Sequence, residues 1–363
     1  MPTSQIRQHD RQVVQVKLLN RRMIKRFALL FSSVIFFLLL VLFLEAGTRI
    51  LKPEINFQDT ERSLLRDNAY GDTYGWKPNA TGICFGKRVY TDEFGFRKMT
   101  SPQNYKESWL ILGDSVTFGV GVETKDTYAQ LLQDDHPEIR AWNTAVIGYN
   151  ARNYRDVLYH LTQGQQGITN LKRVLLFFCL NDVDLGQALG KDLDYQPGQN
   201  GYAETLLSFL RRNSKFYMLL KNTVSDRSKF YFNHDYQFYT GGSGNFLETM
   251  SIYDEMNRYL QSRNIELTVV ILPYEYQLRT KEEKNLLPQK LLTAYFKEKG
   301  IQYIDAYDYF ARSGGDAKED YLYADFGHFS KKGHRAVFNL LKERLDVLAS
   351  TASSSNNEPS PAR

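Results

Sequence analysis

Five apolar runs alternate with helix-like segments across the chain, and this alternation constrains the fold more than any other sequence feature. Runs that are apolar throughout, rather than at every second position, are typical of parallel strands buried on both faces. Strands that alternate with helices form right-handed βαβ units, so the sequence predicts an α/β fold with a doubly wound sheet. The runs cover residues 109–112, 140–142, 174–179, 267–272 and 302–305, and the helical patterns cover 128–134, 154–162, 246–263 and 283–299.

The first apolar run leads into Gly113, Asp114 and Ser115, and a helix-like pattern follows. A strand that feeds a sharp turn lifts the serine hydroxyl to the carboxyl edge of the sheet, where open α/β sheets place their chemistry. A serine becomes a nucleophile only if a base takes its proton. Taken alone, the same three residues are also typical of an ordinary strand-to-helix turn.

Polar residues at three later positions favour the catalytic interpretation. Gly148 follows the second apolar run, Asn181 follows the third, and Asp325 and His328 precede the last helical pattern. A spacing of three lets a carboxylate reach one imidazole nitrogen while the other stays free, which is the base half of a Ser-His-Asp triad. Individually, Gly148 is typical of a turn and Asn181 of a strand-end cap.

Together these four blocks resemble the SGNH branch of the GDSL-type hydrolases, in its membrane-anchored bacterial form. The resemblance implies a flavodoxin-like three-layer sandwich whose five parallel strands have the order 2-1-3-4-5. It implies a catalytic triad of Ser115, Asp325 and His328, with an oxyanion hole formed by Ser115, Gly148 and Asn181. Cys179 departs from the pattern, because the family's third block usually begins with glycine at this position.

Other polar residues near these blocks are expected to have structural roles. Asp114 and Asp182 are predicted to hold their loops through hydrogen bonds to backbone groups. His334 is predicted to pack against or cap the last helix. No Cys/His cluster has metal-ligand spacing, so neither a metal nor another cofactor is predicted.

The implied function is that of a serine esterase. It would hydrolyse or transfer an O-acyl group, with O-acetyl favoured, on a cell-envelope or exported glycan through an acyl-enzyme at Ser115. One alternative is a catalytically inactive factor for envelope or polysaccharide assembly, against which the intact Ser115, Asp325 and His328 argue. Another is a lipid esterase, which nearness to a bilayer allows and no residue requires.

An uncharged apolar stretch at residues 27–44 predicts a transmembrane helix. At about 1.5 Å per residue, a helix of this length nearly matches a hydrocarbon core of about 30 Å. The basic residues just before it are Arg21, Arg22, Lys25 and Arg26. The positive-inside rule therefore places the N-terminus in the cytoplasm and the catalytic domain beyond the inner membrane, in the periplasm. A cleaved signal peptide is the alternative, but its apolar region is usually about 7–15 residues long. An uncleaved signal anchor is therefore favoured.

Charge supports the same division of the chain. Seven basic residues and one acidic residue up to Arg26 give the first segment a net charge of +6, whereas the whole chain carries +5. The remainder is therefore nearly neutral, which indicates a basic tail near anionic lipid and no nucleic-acid partner. The two cysteines, Cys84 in a predicted loop and Cys179 at a predicted strand end, form no disulfide framework, and whether they pair stays open. The oligomeric state also stays open.

The sequence predicts one catalytic domain with additions on either side. The insertion in this domain carries aromatic residues that could stack on sugar rings, although packing of the insertion onto the core is favoured. The aromatic residues are Tyr231, Phe232, Tyr236, Phe238 and Tyr239. The segments are a cytoplasmic basic tail (1–26), a transmembrane signal anchor (27–46), a Gly- and aromatic-rich prefix packing on the core (55–100), the hydrolase domain (106–349, insertion 183–245) and a disordered tail (350–363).

Overall fold

The computed structural model describes residues 3–163, 168–186 and 201–355. The chain divides into two compact units, Met1–Pro53 and Glu54–Arg363. The first unit contains one helix, α1 (Thr3–Leu51), which extends beyond the predicted apolar stretch at both ends. Its part from Arg22 to Leu51 is long and apolar enough to cross a membrane. Signal sequences meet the same criteria, so α1 is a candidate membrane span.

The second unit is built on a five-stranded parallel sheet. Nine strands are described in all, and the last five form this sheet in the order β6-β5-β7-β8-β9. Numbered within the sheet, this order is 2-1-3-4-5, which confirms the predicted fold class. The strands are β1 (Leu65–Tyr70), β2 (Thr73–Trp76), β3 (Thr81–Cys84), β4 (Lys87–Tyr90), β5 (Glu107–Leu112), β6 (Ile139–Asn143), β7 (Leu171–Phe178), β8 (Glu266–Ile271) and β9 (Gln302–Asp305).

Helices cover both faces of the sheet and enclose two separate apolar cores. Alternate residues of the strands point to opposite faces, so Leu110 and Leu112 enter one core while Trp109 and Ile111 enter the other. Helices α4, α8 and α10 contribute to the first core, and α3, α11 and α12 contribute to the second. The helices after α1 are α2 (Ser115–Phe118), α3 (Tyr128–Asp135), α4 (Ala151–Gln163), α5 (Gly201–Asn213), α6 (Lys215–Val224), α7 (Arg227–Tyr236), α8 (Gly244–Gln261), α9 (Glu275–Thr280), α10 (Leu287–Lys299), α11 (Tyr307–Arg312) and α12 (Lys331–Ser355).

The prefix, defined as residues 55–100, forms two antiparallel hairpins, β1–β2 and β3–β4. Its buried side chains belong to the same core as β5 and α4. The Trp76 indole nitrogen donates to the carbonyl of Ala145 at 3.0 Å, on the loop after β6. Cys84, predicted in a loop, instead ends β3 and is fully buried, and neither Cys84 nor Cys179 forms a disulfide.

The insertion contains helices α5, α6 and α7, and residues 187–200 within it lie outside the described part of the chain. The aromatic residues predicted on a loop lie on α7 and on the turn that follows it. Phe232 and Tyr239 are buried against the core, as the favoured interpretation expected. The last helix ends at Ser355, and residues 356–363, part of the tail expected to be disordered, lie outside the described residues.

Candidate active site

The turn between β5 and α2 presents Ser115 at the carboxyl edge of the sheet. Asp114 caps α2, because its Oδ1 accepts a hydrogen bond from the N–H of Val116 at 2.9 Å. A Cβ atom on Gly113 would lie 2.0 Å from Oγ1 of Thr117, so only glycine allows the helix to start this close to the strand. Ser115 is therefore fixed as the first residue of a single helical turn.

The structure brings Ser115, His328 and Asp325 together. Oγ of Ser115 lies 2.8 Å from Nε2 of His328, although the two residues are 213 positions apart in sequence. On the other side of the ring, Nδ1 of His328 lies 2.9 Å from Oδ1 of Asp325. Ser115 is 9% exposed and His328 is 8% exposed, so both residues are largely shielded from solvent.

The Asp325 carboxylate is held by its own loop. Its Oδ1 also accepts hydrogen bonds from the N–H groups of Gly327 at 3.1 Å and His328 at 3.0 Å. Burial raises the pKa of Asp325, but the charge and hydrogen bonds of His328 outweigh burial and lower this pKa to about 2. Burial likewise lowers the pKa of His328, but Asp325 outweighs it, and the net pKa is raised. Asp325 is therefore ionised at neutral pH, and the imidazole is a stronger base than usual.

Gly148 and Asn181 lie on the neighbouring loops at the same edge of the sheet. Gly148 has a φ of 76°, which favours glycine, and it follows β6. Asn181 lies in the turn after β7, where its Oδ1 accepts a hydrogen bond from the Tyr274 hydroxyl at 3.3 Å. Within the described part of the chain, the N–H groups of Ser115 and Gly148 donate to no protein acceptor. Three potential donors to an oxyanion are thus available.

Asp182 organises the loop that departs from the family pattern. Its Oδ2 accepts from the N–H of Cys179 at 3.0 Å, and its Oδ1 accepts from the Tyr154 hydroxyl at 2.9 Å. Burial raises the pKa of Asp182 and of Cys179 well above their ordinary values, so the thiol keeps its proton. Cys179 is therefore a buried apolar side chain, and Asp182 has the loop-holding role that the sequence predicted.

Two aromatic side chains, Phe85 and Phe326, contact His328, and the sequence singled out neither of them. The rings of Phe85 and Phe326 meet the imidazole edge-on, with centroids 5.1 and 5.6 Å away. Tyr231 of the insertion stacks on Phe326 at 4.5 Å. Phe85 lies on the turn between β3 and β4, so the prefix contributes a side chain to the surroundings of the triad. The aromatic content of the prefix was the only sequence signal of this contact.

His334 lies apart from the triad and has a structural role. It is fully buried on α12, and its Nδ1 accepts from the N–H of Tyr128 at 3.3 Å, at the start of α3. Burial, and then the charge of Arg97, lower its pKa to about 3, so the ring stays neutral. Among the residues that the structure describes, no group of three or more His, Cys, Asp or Glu side chains could hold a metal ion.

The model of the GDSL-like lipase/acylhydrolase family matches residues 111–336, which is more than half of the chain. The chain belongs to this family. As a GDSL-like acylhydrolase it is an enzyme that hydrolyses ester bonds. The matched region begins within β5 and ends within α12, so it includes all four blocks that carry the resemblance and leaves out the prefix.

Several solved structures are similar to this GDSL-like acylhydrolase. A lipolytic protein of the G-D-S-L family from Veillonella parvula is 12% identical, over 66% of this chain and 97% of its own, with a TM-score of 0.39. The psychrotrophic esterase EstA from Pseudoalteromonas sp. is 12% identical, over 68% and 100%, with a TM-score of 0.38. The acetylxylan esterase Axe2 from Geobacillus stearothermophilus is 14% identical, over 66% and 94%, with a TM-score of 0.38. None of the curated proteins matches this sequence.

Proposed function

We propose that this protein is a serine esterase that hydrolyses or transfers an O-acetyl group on a cell-envelope or exported glycan through an acyl-enzyme at Ser115. The observation that carries the proposal is the continuous contact from the Ser115 hydroxyl through His328 to the Asp325 carboxylate. A chain with an inactive site would have no need of all three groups in bonding distance. The inactive alternative is therefore disfavoured.

The proposed reaction starts with proton transfer from Oγ of Ser115 to Nε2 of His328 as Oγ attacks the ester carbonyl. The carbonyl oxygen becomes an oxyanion, which the N–H groups of Ser115 and Gly148 and the amide of Asn181 would bind. His328 then gives its proton to the leaving alcohol, and the acyl group stays on Ser115. Water, or a sugar hydroxyl in the transferase case, attacks this acyl-enzyme with His328 again as the base.

Two features support a small acyl group and an envelope location. The rings of Phe85 and Phe326 lie 5.1 and 5.6 Å from the imidazole, which favours a small acyl group beside the triad. The apolar helix α1, with basic residues before its uncharged part, supports a single-pass anchor with the catalytic unit outside the cytoplasm. A glycan of the envelope is one ester-bearing substrate class that an anchored enzyme of this kind would meet.

The test combines activity with active-site labelling. The full-length enzyme in detergent should hydrolyse p-nitrophenyl acetate and release acetate from acetylated glycans, and a fluorescent organophosphonate should label Ser115. Ser115→Ala and His328→Ala should each remove most of the activity, and the double variant should be scarcely worse, because the two residues act as one unit. His160→Ala, which changes an exposed histidine outside the triad, is the matched control. An unlabelled Ser115 in the wild type would refute the esterase proposal.

A further inference from the structure

Arg97 is a buried cation that forms no ion pair with a carboxylate in the described part of the chain. Its side chain is 1% exposed, and burial lowers its pKa to about 10, so the guanidinium keeps its proton at neutral pH. Taking a charge out of water is costly unless polar groups replace the lost water. The acceptors that bind this guanidinium therefore indicate which segment of the chain Arg97 stabilises.

All the acceptors of the guanidinium lie between residues 118 and 124, directly after the helix of the nucleophile. Nη1 of Arg97 donates to the carbonyls of Phe118 and Gly119, the second at 2.6 Å. Nη2 donates to the carbonyl of Val122 at 2.8 Å, and Nε to Oγ1 of Thr124 at 3.3 Å. Four of the five N–H donors of the guanidinium are thus used on one short segment.

This segment includes the C-terminal end of α2, where helix carbonyls have no partner within the helix. Nδ2 of Asn143 donates to the carbonyl of Thr117 at 3.2 Å, and Arg97 takes the next two carbonyls. The N–H of Arg97 donates to the carbonyl of Asn143 at 3.2 Å, so the two residues support each other. A cation at this end also interacts favourably with the helix dipole. Because α2 has a single turn, fixing its end fixes its first residue, Ser115.

We propose that Arg97 is a positioning residue for the nucleophile. It holds α2 so that Oγ of Ser115 meets Nε2 of His328, and it contacts no substrate itself. Arg97 lies in the prefix, outside the region that matches the family. The prefix would therefore contribute to catalysis by positioning Ser115. This proposal rests on the proposed role of Ser115.

The experiment compares the full-length wild type with Arg97→Lys and Arg97→Met. We expect kcat on an acetyl ester to fall about 10-fold in the lysine variant and about 100-fold in the methionine variant, with KM nearly unchanged, because a small misplacement of a reacting group can cost about 10²-fold. Thr73→Val is the control: Oγ1 of Thr73 donates to Oδ2 of Asp156 at 2.7 Å, a contact between the prefix and α4 away from α2. This control should keep its kcat.

Phosphonate labelling of Ser115 separates the two proposals. A wild type that is not labelled defeats the proposed function, whereas a labelled wild type with equal labelling rates in the arginine variants overturns the positioning role. Lysine keeps the charge but cannot reproduce the planar fork. An Arg97→Lys variant that melts earlier yet keeps full kcat would show a merely structural role. Should neither Arg97 variant fold, Thr124→Val decides: slower labelling supports the proposal, and an unchanged rate overturns it.

Discussion

Oδ1 of Asn181 lies 3.3 Å from the Tyr274 hydroxyl, and its amide nitrogen is the proposed donor toward an oxyanion. Asn181→Ala should therefore lower kcat by about 10²-fold or more with little change in KM, since the donor acts mainly in the transition state. Steady-state kinetics on p-nitrophenyl acetate measure this effect. Equal kcat in the variant and the wild type would mean that another group binds the oxyanion.

Tyr274→Phe is a second variant of the same contact, for which we expect a smaller loss of kcat than for Asn181→Ala. It removes only the hydroxyl, whose single proton faces Oδ2 of Asp235 at 2.7 Å and Oδ1 of Asn181 at 3.3 Å. Its kcat should fall less than that of Asn181→Ala, because the amide nitrogen is still present. A larger loss in the tyrosine variant would contradict the assigned roles.

The raised pKa of His328 sets the expected pH dependence. The imidazole accepts a proton only in its neutral form, so kcat/KM should rise with pH through a pKa above the ordinary histidine value and then level off. Asp325→Asn removes the charge that raises this pKa, while burial still lowers it. The inflection should move to lower pH, and the plateau should fall by about 10⁴-fold. A pH–rate profile with an unmoved inflection would show that Asp325 does not act on His328.

Asp182 offers a test of stability rather than of catalysis. In Asp182→Ala the buried N–H of Cys179 and the hydroxyl of Tyr154 lose their acceptor. The free energy of unfolding should fall by about 2–4 kcal/mol, because a buried unsatisfied polar group costs about 1–3 kcal/mol. Denaturant unfolding in detergent measures it. Tyr154→Phe, which removes only one of the two partners, should cost less, and the reverse order would argue against this reading of the loop.

At the scale of elements, the β3–β4 turn places the ring of Phe85 5.1 Å from the imidazole of His328. Phe85→Ala should raise the ratio of kcat/KM for hexanoyl over acetyl esters by about 10-fold, since contacts with one or a few methylenes discriminate by about that much. Phe94→Ala is the matched control, because this half-buried ring of the prefix packs on Phe96 and Trp142 instead. An unchanged ratio in Phe85→Ala would show that the turn does not limit the acyl group.

The elements of the core were largely predictable, because strand and helix periodicity is a local property of the sequence. The strand Gln302–Asp305 has its predicted bounds, and the other four sheet strands differ from their predicted runs by one to three residues at one or both ends. Contacts of the prefix were not predictable. The pairing of Phe85 with His328 and of Arg97 with the end of α2 joins segments whose approach depends on packing. Cys84 was placed in a loop because the four-residue strand that it ends is too short to show a pattern.

At the scale of the whole molecule, α1 is a candidate membrane span, and we propose that it places the catalytic unit outside the cytoplasm. A reporter fused to the C-terminus should be active only outside the cytoplasm, and the protein should stay in the membrane fraction with an intact N-terminus. Both expectations follow from the basic residues before the uncharged stretch. Fractionation and N-terminal sequencing provide the measurement. A soluble, trimmed protein would instead identify a cleaved signal peptide, and a cytoplasmic reporter signal would reverse the orientation.

The distance in sequence between Ser115 and His328 has a consequence for the newly made protein. At roughly 5–20 residues per second, synthesis of the 213 residues between them takes about 10–40 s. A growing chain that ends between residues 306 and 325 contains all five strands of the sheet but lacks the proposed base of Ser115. A premature stop codon in this stretch would leave the sheet without that base. Under the proposed mechanism, hydrolysis begins only after synthesis has passed residue 328.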